Sequence, residues 1–512
     1  MVVSKGRGLY PKEARRSGKA VVLIQNGIHA GEIEGKDSGM LLLREILVTG
    51  EKKHLLDHLV LLIIPIFNVD GHELVSPYNR PNQNGPREMG WRTTSHNLNL
   101  NRDYMKADSP EMQSLLRLFS AWLPDFYIDN HTTDGMDYQY HITYDIETHQ
   151  NIDQRLAGWG SDKLMPFVIS EVEQQGFLTA PYIESDNSTV VNEPALPRLS
   201  TGYSALQNRL ALLVETHSLK SFENRVMSTK AMNAATLEYI NAHSDELREL
   251  NRRSDHEAIY HFAEQQLPFP LRVQITDHAV PFTFKGLQTH EEESSILGSS
   301  VTRYSVEPKE FETLLYNRAE VTETVIAPAA YSIPQEFASV ARLLRLHGIR
   351  TPQLKQNETV IVQRYRFKDA SFAVKSYEGR QQVDCGVEMF EEQVSLSKGT
   401  YIVPTRQRTL RVILHLLEPR GPDSLVRWGF FNAFFERKEY VEPYIMEPIA
   451  TRMLEEDSAL REEFERKLQE DTEFKDDPKA RLDFFYRRSI YADKHENMYP
   501  IMRLPKIPEF LS

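Results

Sequence analysis

AVVLIQNGIHAGE, residues 20–32, is the stretch whose reading decides the fold. An apolar run of strand length ends near Gln25, and Asn26 and Gly27 turn the chain. His29 and Glu32 follow three residues apart. Ile33, Met40, Leu43 and Leu47 then recur near helical spacing until Gly50 stops them. An imidazole and a carboxylate on one short turn after a core strand either cap that turn or converge on an ion.

The same alternation continues outward. Residues 58–67 form a second apolar strand candidate. Ser109-Pro110-Glu111 places a capping hydroxyl, a proline at the first helical position and an acid in succession, predicting a helix to about Trp122. Residues 125–130 and 210–214 read as further strands, and 222–264 as helical. Strand–helix alternation predicts an α/β fold, a mixed but mainly parallel sheet flanked by helices. After Pro268 and Pro270 the texture changes. Strands are expected over 272–276, 301–306, 359–367, 371–375 and 409–417, with a helix over 335–346 ended by Gly348. Charged helices follow from Ile449. Two domains result: residues 1–260, and a β-rich accessory region with terminal helices over 261–512. The aromatic residues Trp428, Phe430, Phe431, Phe434 and Phe435 read as core or interdomain packing.

A chain of 512 residues is too long for one hydrophobic core. Its net charge of −13 lacks the basic excess of a phosphate-tracking surface, which argues against nucleic acid as a partner. The longest apolar run, residues 59–67, contains Pro65 and is too short to span a bilayer. A single cysteine, Cys385, excludes intrachain disulfides and cysteine-rich metal sites. Any metal must therefore use His, Asp or Glu. Residues 1–10 lack the architecture of a signal peptide.

Open α/β sheets present ligand sites at the carboxyl ends of their strands. Four polar clusters fall there: residues 26–32, 68–71, 129–132 and 215–217. His29, Glu32 and His131 are a donor set suited to catalytic zinc, which takes three protein ligands plus water. Glu215 closes an apolar strand, where a carboxylate is costly unless it is paired or functional. It either pairs with Arg209 or Arg225, or acts as a general base. Arg102 offers a planar fork for a carboxylate, and Asn101 adjoins it. With Arg92 they are either solvated loop residues or the binding set for an anionic substrate.

These residues together resemble the zinc carboxypeptidase family of the carboxypeptidase A type. The resemblance rests on His29-Ala30-Gly31-Glu32, Asn68-Val69-Asp70-Gly71, Trp91-Arg92, Asn101-Arg102, His131 and Glu215, in that order, over roughly residues 1–255. It implies one Zn²⁺ ion on His29, Glu32 and His131, and Glu215 as general base and acid. It implies Arg92 as oxyanion stabiliser, with Asn101 and Arg102 gripping the terminal carboxylate of a peptide. The tyrosine that members carry upstream of the glutamate has Tyr203 as its nearest candidate and Tyr182 as another. Gly31 stands where digestive members carry arginine, so one substrate contact is lost. Asn99 stands where members carry the aspartate that orients a ligating imidazole; it can still accept the ring N–H, but without charge. Members also open with a helix and a strand ahead of the segment matching residues 2–5, which implies a chain beginning inside its catalytic domain.

The implied function is a metallocarboxypeptidase that removes C-terminal residues through a zinc-activated water, acting in the periplasm or outside the cell, with a cytoplasmic setting also open. Two alternatives stand beside it. One is a zinc amide hydrolase of the murein-peptide or acyl-amino-acid type. The other is an inactive relative that binds peptide or glycan.

Overall fold

Side chains of the run that opens at Ala20 leave the backbone in alternate directions, and both directions are buried. Val21 and Leu23 join one hydrophobic cluster, while Ala20, Val22 and Ile24 join another. That is why the strand reads as continuously apolar: a parallel strand covered on both faces has no polar side. The computed structural model describes residues 1–182 and 189–507.

The first eight strands are β1 (Val2–Ser4), β2 (Ala20–Asn26), β3 (Leu59–Ile64), β4 (Phe126–Thr133), β5 (Ile142–Ile146), β6 (Thr179–Pro181), β7 (Thr189–Val191) and β8 (Leu210–His217). All but β7 form one sheet in the order β1-β3-β2-β4-β8-β5-β6. Pairs β2–β3, β2–β4, β4–β8 and β5–β6 are parallel; β1–β3 and β5–β8 are antiparallel. The expected mixed, mainly parallel sheet is present. On one face, helices Glu34–Arg44, Met165–Glu173 and Phe222–Ala242 contribute Leu42, Val168, Met232 and Leu237 to a shared cluster. Helix Pro110–Trp122 lies on the other, started as its sequence indicates: the Ser109 hydroxyl accepts from the Met112 N–H at 3.2 Å. The predicted helix over 222–264 is two helices, Phe222–Ala242 and Ser244–Ala258, followed by a wider turn.

The second region supplies β9 (Phe269–Ile275), β10 (Ala279–Ser294), β11 (Ser299–Tyr316), β12 (Ala319–Val325), β13 (Ala330–Ile333), β14 (Glu358–Phe372), β15 (Val383–Leu396), β16 (Tyr401–Pro404) and β17 (Met502–Leu504). β10 and β11 form a long hairpin that carries β7 on its edge, and β12 pairs with β9. The order β15-β14-β17-β13-β16 makes an antiparallel five-stranded sheet. Residues 371–375 are not a strand of their own: β14 ends at Phe372, and a turn with Gly379 at φ +75° leads to β15. Residues 409–417 are not a strand either, but contain helix Leu410–Leu417. Every residue of that helix is buried. An apolar run without a polar face carries no period by which helix and strand differ.

One hydrophobic cluster runs across residue 260. Leu23, Tyr127 and Phe119 share it with Tyr331, Leu344, Leu414, Phe431 and Tyr499. The second region therefore covers one face of the first region's sheet. No helix among the described residues is long and apolar enough to cross a membrane. Leu414→Ala, which empties part of this shared core, should cost roughly 2–5 kcal/mol. A urea melt should show one transition moving to lower midpoint, with no early loss of the second region alone.

Candidate metal centre and cleft

The carboxyl ends of β2, β4 and β8 lie side by side, and their neighbours fix the chain beyond them. Asn26 donates to the Ile64 carbonyl at 2.9 Å and accepts from Asn130 Nδ2 at 2.7 Å, tying β3, β2 and β4 together. A turn then closes from the Glu32 N–H to the His29 carbonyl at 2.9 Å. His29, Glu32 and His131 are buried, and their ligand atoms lie within 4.8 Å of one another.

Both imidazoles present Nδ1 to the one carboxylate. His29 Nδ1 stands 3.0 Å from Glu32 Oε1, and His131 Nδ1 stands 3.0 Å from Glu32 Oε2. On the outer side, His29 Nε2 meets Asn99 Oδ1 at 3.0 Å and His131 Nε2 meets Asp129 Oδ2 at 2.9 Å. Those oxygens only accept, so each Nε2 carries the hydrogen. In a neutral ring this turns the Nδ1 lone pair toward Glu32. For His29, whose ring stays neutral, a lone pair facing a carboxylate oxygen is acceptor against acceptor, and a cation between them relieves the conflict; His131 gives up its Nδ1 proton to join the same ion. The donor set thus fits zinc.

Electrostatics follow the same geometry. Burial pulls His29 down to about 4 against the opposing pull of Glu32, which keeps its ring neutral. Burial works against charge on Glu32, yet His29, Arg80 and His131 outweigh it and hold the carboxyl well below its ordinary range. His131 also loses hydration, but Asp129, Glu215 and Glu32 hold its pKa well above the usual value in the metal-free protein.

Glu215 pairs in register with His131 across β8 and β4. It is 8% exposed, and its Oε2 has no hydrogen-bond partner. The two arginines considered for it are engaged elsewhere: Arg209 with Asp255 at 2.9 Å, and Arg225 toward Glu34 at 3.8 Å. Burial pushes its pKa up to about 8, His131 opposes, and the carboxylates of Glu32, Asp129 and Glu34 add to the rise.

The Asn68–Gly71 cluster shapes the wall that carries Arg92. Asn68 accepts from the Gly71 N–H at 2.9 Å and donates to the Arg92 carbonyl at 3.1 Å. The Trp91 N–H donates to the Gly71 carbonyl at 2.7 Å, and a Cβ on Gly71 would lie 2.4 Å from the Trp91 oxygen. Glycine is required by that close approach. Arg92 Nη1 reaches to 3.5 Å from Glu32 Oε1. Arg80, a residue the sequence reading missed, comes nearer, with Nη2 at 2.9 Å from the same oxygen. It crosses Gly31, where an added Cβ would sit 2.1 Å from Arg80 Cδ. Gln83 Oε1 accepts from its Nε at 2.6 Å. The one signal in the sequence is the glycine at position 31, which leaves room for a guanidinium arriving from another loop.

Asn101 is buried, and its Oδ1 accepts from the Ser200 N–H at 3.3 Å. Arg102 lines a cavity of about 320 Å³ together with Leu213 of β8, and its Nε donates to the Tyr377 hydroxyl at 3.0 Å. Tyr203 is not brought to the cleft, which corrects its candidacy. It is 1% exposed in the core against Tyr104 and Phe119, and its hydroxyl engages His347 Nδ1 at 3.0 Å and Gln207 Nε2 at 2.7 Å. The short helix Ser200–Leu206 is buried along its whole length, so its tyrosine has no route to substrate. Tyr182 lines the cavity instead.

Residues 1–166 match the zinc carboxypeptidase family. Carboxypeptidase 2 of Trichophyton rubrum is 24% identical over 81% of this chain and 74% of its own length. Carboxypeptidase 2 of Trichophyton tonsurans is 24% identical over 81% and 75%. Metallo-carboxypeptidase structures from Burkholderia cenocepacia and Pseudomonas aeruginosa give TM-scores of 0.34 and 0.36 at 16% and 17% identity. They cover 47% and 48% of this chain, which spans 60% and 65% of theirs, less than two thirds. The family match agrees with the resemblance read from the motifs, with its enzyme class and with its metal, zinc.

Asn99→Ala and Asp129→Ala, each removing an outer acceptor, should weaken zinc binding by roughly 10- to 100-fold in competition with a chromophoric chelator. Glu215 gives a second expectation in metal-free protein. Its folded pKa of about 8 lies above the ordinary 4.5, so between these values the native state holds more protons than the unfolded chain. Its contribution is fully present below pH 4.5 and is lost as pH rises through 8. Glu215→Gln, which does not titrate, should match the wild type near the lower value in thermal melts with chelator. At the upper value it should exceed it by on the order of a few kcal/mol.

Proposed function

We propose that this chain is a zinc-dependent metallocarboxypeptidase that hydrolyses the last bond of peptides with a free C-terminal carboxylate. The observation that carries the reading is a buried carboxylate, Glu215, whose Oε2 has no hydrogen-bond partner among the described residues, in register with His131 of a His29–Glu32–His131 cradle whose outer ring nitrogens are already satisfied.

His29 and His131 through Nδ1, with Glu32, would hold the ion, which supplies Lewis acidity to the scissile carbonyl and activates water. Glu215 takes the proton of the attacking water and delivers it to the leaving amine. Its raised pKa suits that exchange, because an acid and base near neutrality does both halves of the transfer. Arg92 stands on the cleft side of Glu32 and stabilises the developing oxyanion. Arg102 holds the terminal carboxylate through its fork, with Asn101 fixing the Ser200 segment beside it. Peptides outside the cytoplasm, in the periplasm or medium, are the substrates of this reading.

Glu215→Gln should keep one zinc per chain and lose turnover by about 10³-fold or more. Metal analysis with hydrolysis of a benzoyl dipeptide, a murein tripeptide and an acyl-amino acid checks this. Retained turnover would move the general base elsewhere, and cleavage of the acyl-amino acid alone would favour a deacylase.

A further inference from the structure

The turn that joins β14 to β15 holds three neighbouring side chains against the loop of Asn99 and Arg102. Tyr377 and Arg380 exchange both backbone hydrogen bonds, at 2.8 and 3.1 Å, around Glu378 and Gly379. Both central residues have positive φ, +50° and +75°, as in a type I′ turn. Asn, Asp or Gly suit the first of these positions, and a glutamate there is strained. Its carboxylate reaches out of the turn: Glu378 Oε2 accepts from the Asn99 N–H at 2.8 Å. A Cβ on Gly379 would meet Leu98 Cδ2 at 3.4 Å, so the turn packs on the residue that leads into Asn99. Strain kept at such a contact points to a use for it.

The residues flanking Glu378 and Gly379 are anchored separately. Arg380 Nε and Nη2 donate to Asp108 at 2.8 and 2.5 Å, and its guanidinium lies 3.8 Å from the Phe430 ring centroid. The Tyr377 ring stacks on Trp428, with centroids 6.0 Å apart and 12° between the planes. Trp428 is buried and donates to Asp423 at 3.0 Å. The Tyr377 hydroxyl is thereby fixed where it accepts from Arg102 Nε at 3.0 Å. Arg102 Nη1 donates to the Asn101 carbonyl at 2.7 Å. A guanidinium has five N–H groups. Two are engaged, and among the described residues no acceptor reaches Nη2. The edge left for a carboxylate is the end-on pair, Nη1 and Nη2. Asn99 Oδ1, for its part, meets His29 Nε2 at 3.0 Å and accepts from the Asn101 N–H at 3.0 Å.

We propose, resting on the exopeptidase reading, that the β14–β15 turn is a two-part positioning device for the reaction. Tyr377 sets the Arg102 guanidinium end-on for the terminal carboxylate of the substrate. Glu378 pins the backbone of Asn99 and, through its side chain, the ring of His29. Both are positioning residues, because each acts through another residue and not on the reacting atoms. They are adjacent in sequence but lead to different parts of the site, one to substrate and one to metal. Their effects therefore separate.

The test uses the full chain, with hydrolysis of benzoyl-glycyl-leucine by the zinc-loaded protein and zinc competition against a chromophoric chelator. Tyr377→Phe keeps the stacked ring and removes the acceptor. KM should rise roughly 3- to 10-fold, with kcat moving less and zinc affinity as in wild type. Glu378→Gly removes the carboxylate and suits the positive φ. It should weaken zinc binding by roughly 3- to 10-fold. Glu378→Gln, whose amide oxygen can still accept the Asn99 N–H, should restore most of that loss. Glu378→Asn, which also suits the turn, serves as the second variant if Glu378→Gly does not melt like wild type. A purely structural brace would shift both readouts together, in step with Tm. An unchanged KM in Tyr377→Phe, an unchanged zinc affinity without the Glu378 carboxylate, or both readouts moving together in every variant overturns the proposal while leaving the exopeptidase reading intact. No cleavage by wild type removes that reading and the Tyr377 half with it, and zinc competition then decides the Glu378 half.

Discussion

Two rings turned toward one carboxylate are the arrangement on which the rest of the site depends. Asn99 and Asp129 can only accept hydrogen bonds, so each outer imidazole nitrogen must donate, and each inner one is left to bind. Glu32 lies between the rings because the turn after β2 closes on the His29 carbonyl. His29 and Glu32 share the turn after β2 while His131 comes from β4, and a cation suits all three donors at once. The remaining features follow from that demand. Gly71 lets the Arg92 segment approach, Gly31 lets Arg80 cross, and Asn26 with Asn130 holds the strand ends in line.

The second region contributes directly to the cleft. The turn between β14 and β15 docks on residues 99–108 through three contacts. The Asn99 N–H donates to Glu378 at 2.8 Å, Arg102 donates to the Tyr377 hydroxyl at 3.0 Å, and Arg380 Nε donates to Asp108 at 2.8 Å. The residue that orients His29 and the one assigned to the substrate carboxylate are thus both braced from beyond residue 370. With the shared hydrophobic core, these contacts pack the β-rich region against the loop that holds Asn99 and Arg102. It also gives that region a role that composition alone did not reveal.

The candidate site was legible where strand ends announce themselves. His29, Glu32, His131 and Glu215 each follow an apolar run, and a polar group at such a boundary stands out against its neighbours. Ser109, Pro110 and Gly348 marked helix ends for the same reason: their backbone or side-chain chemistry acts locally. Arg80 was illegible because it comes from an irregular loop, and its partner lies 48 positions away in sequence (residue 80 against residue 32). Tyr203 misled because nearness in sequence to Glu215 says nothing about which face of a buried helix meets the cleft. The strand expected over 409–417 failed for want of any polar face.

X-ray absorption at the zinc K-edge, on full-length protein purified without chelator, tests the central claim most directly. The account predicts one zinc per chain with two imidazole nitrogens at about 2.0–2.1 Å, carboxylate oxygen at a similar distance and no sulfur. One imidazole should disappear from the spectrum in His29→Ala and one in His131→Ala. A spectrum with sulfur ligands, or one unchanged by either substitution, would contradict it.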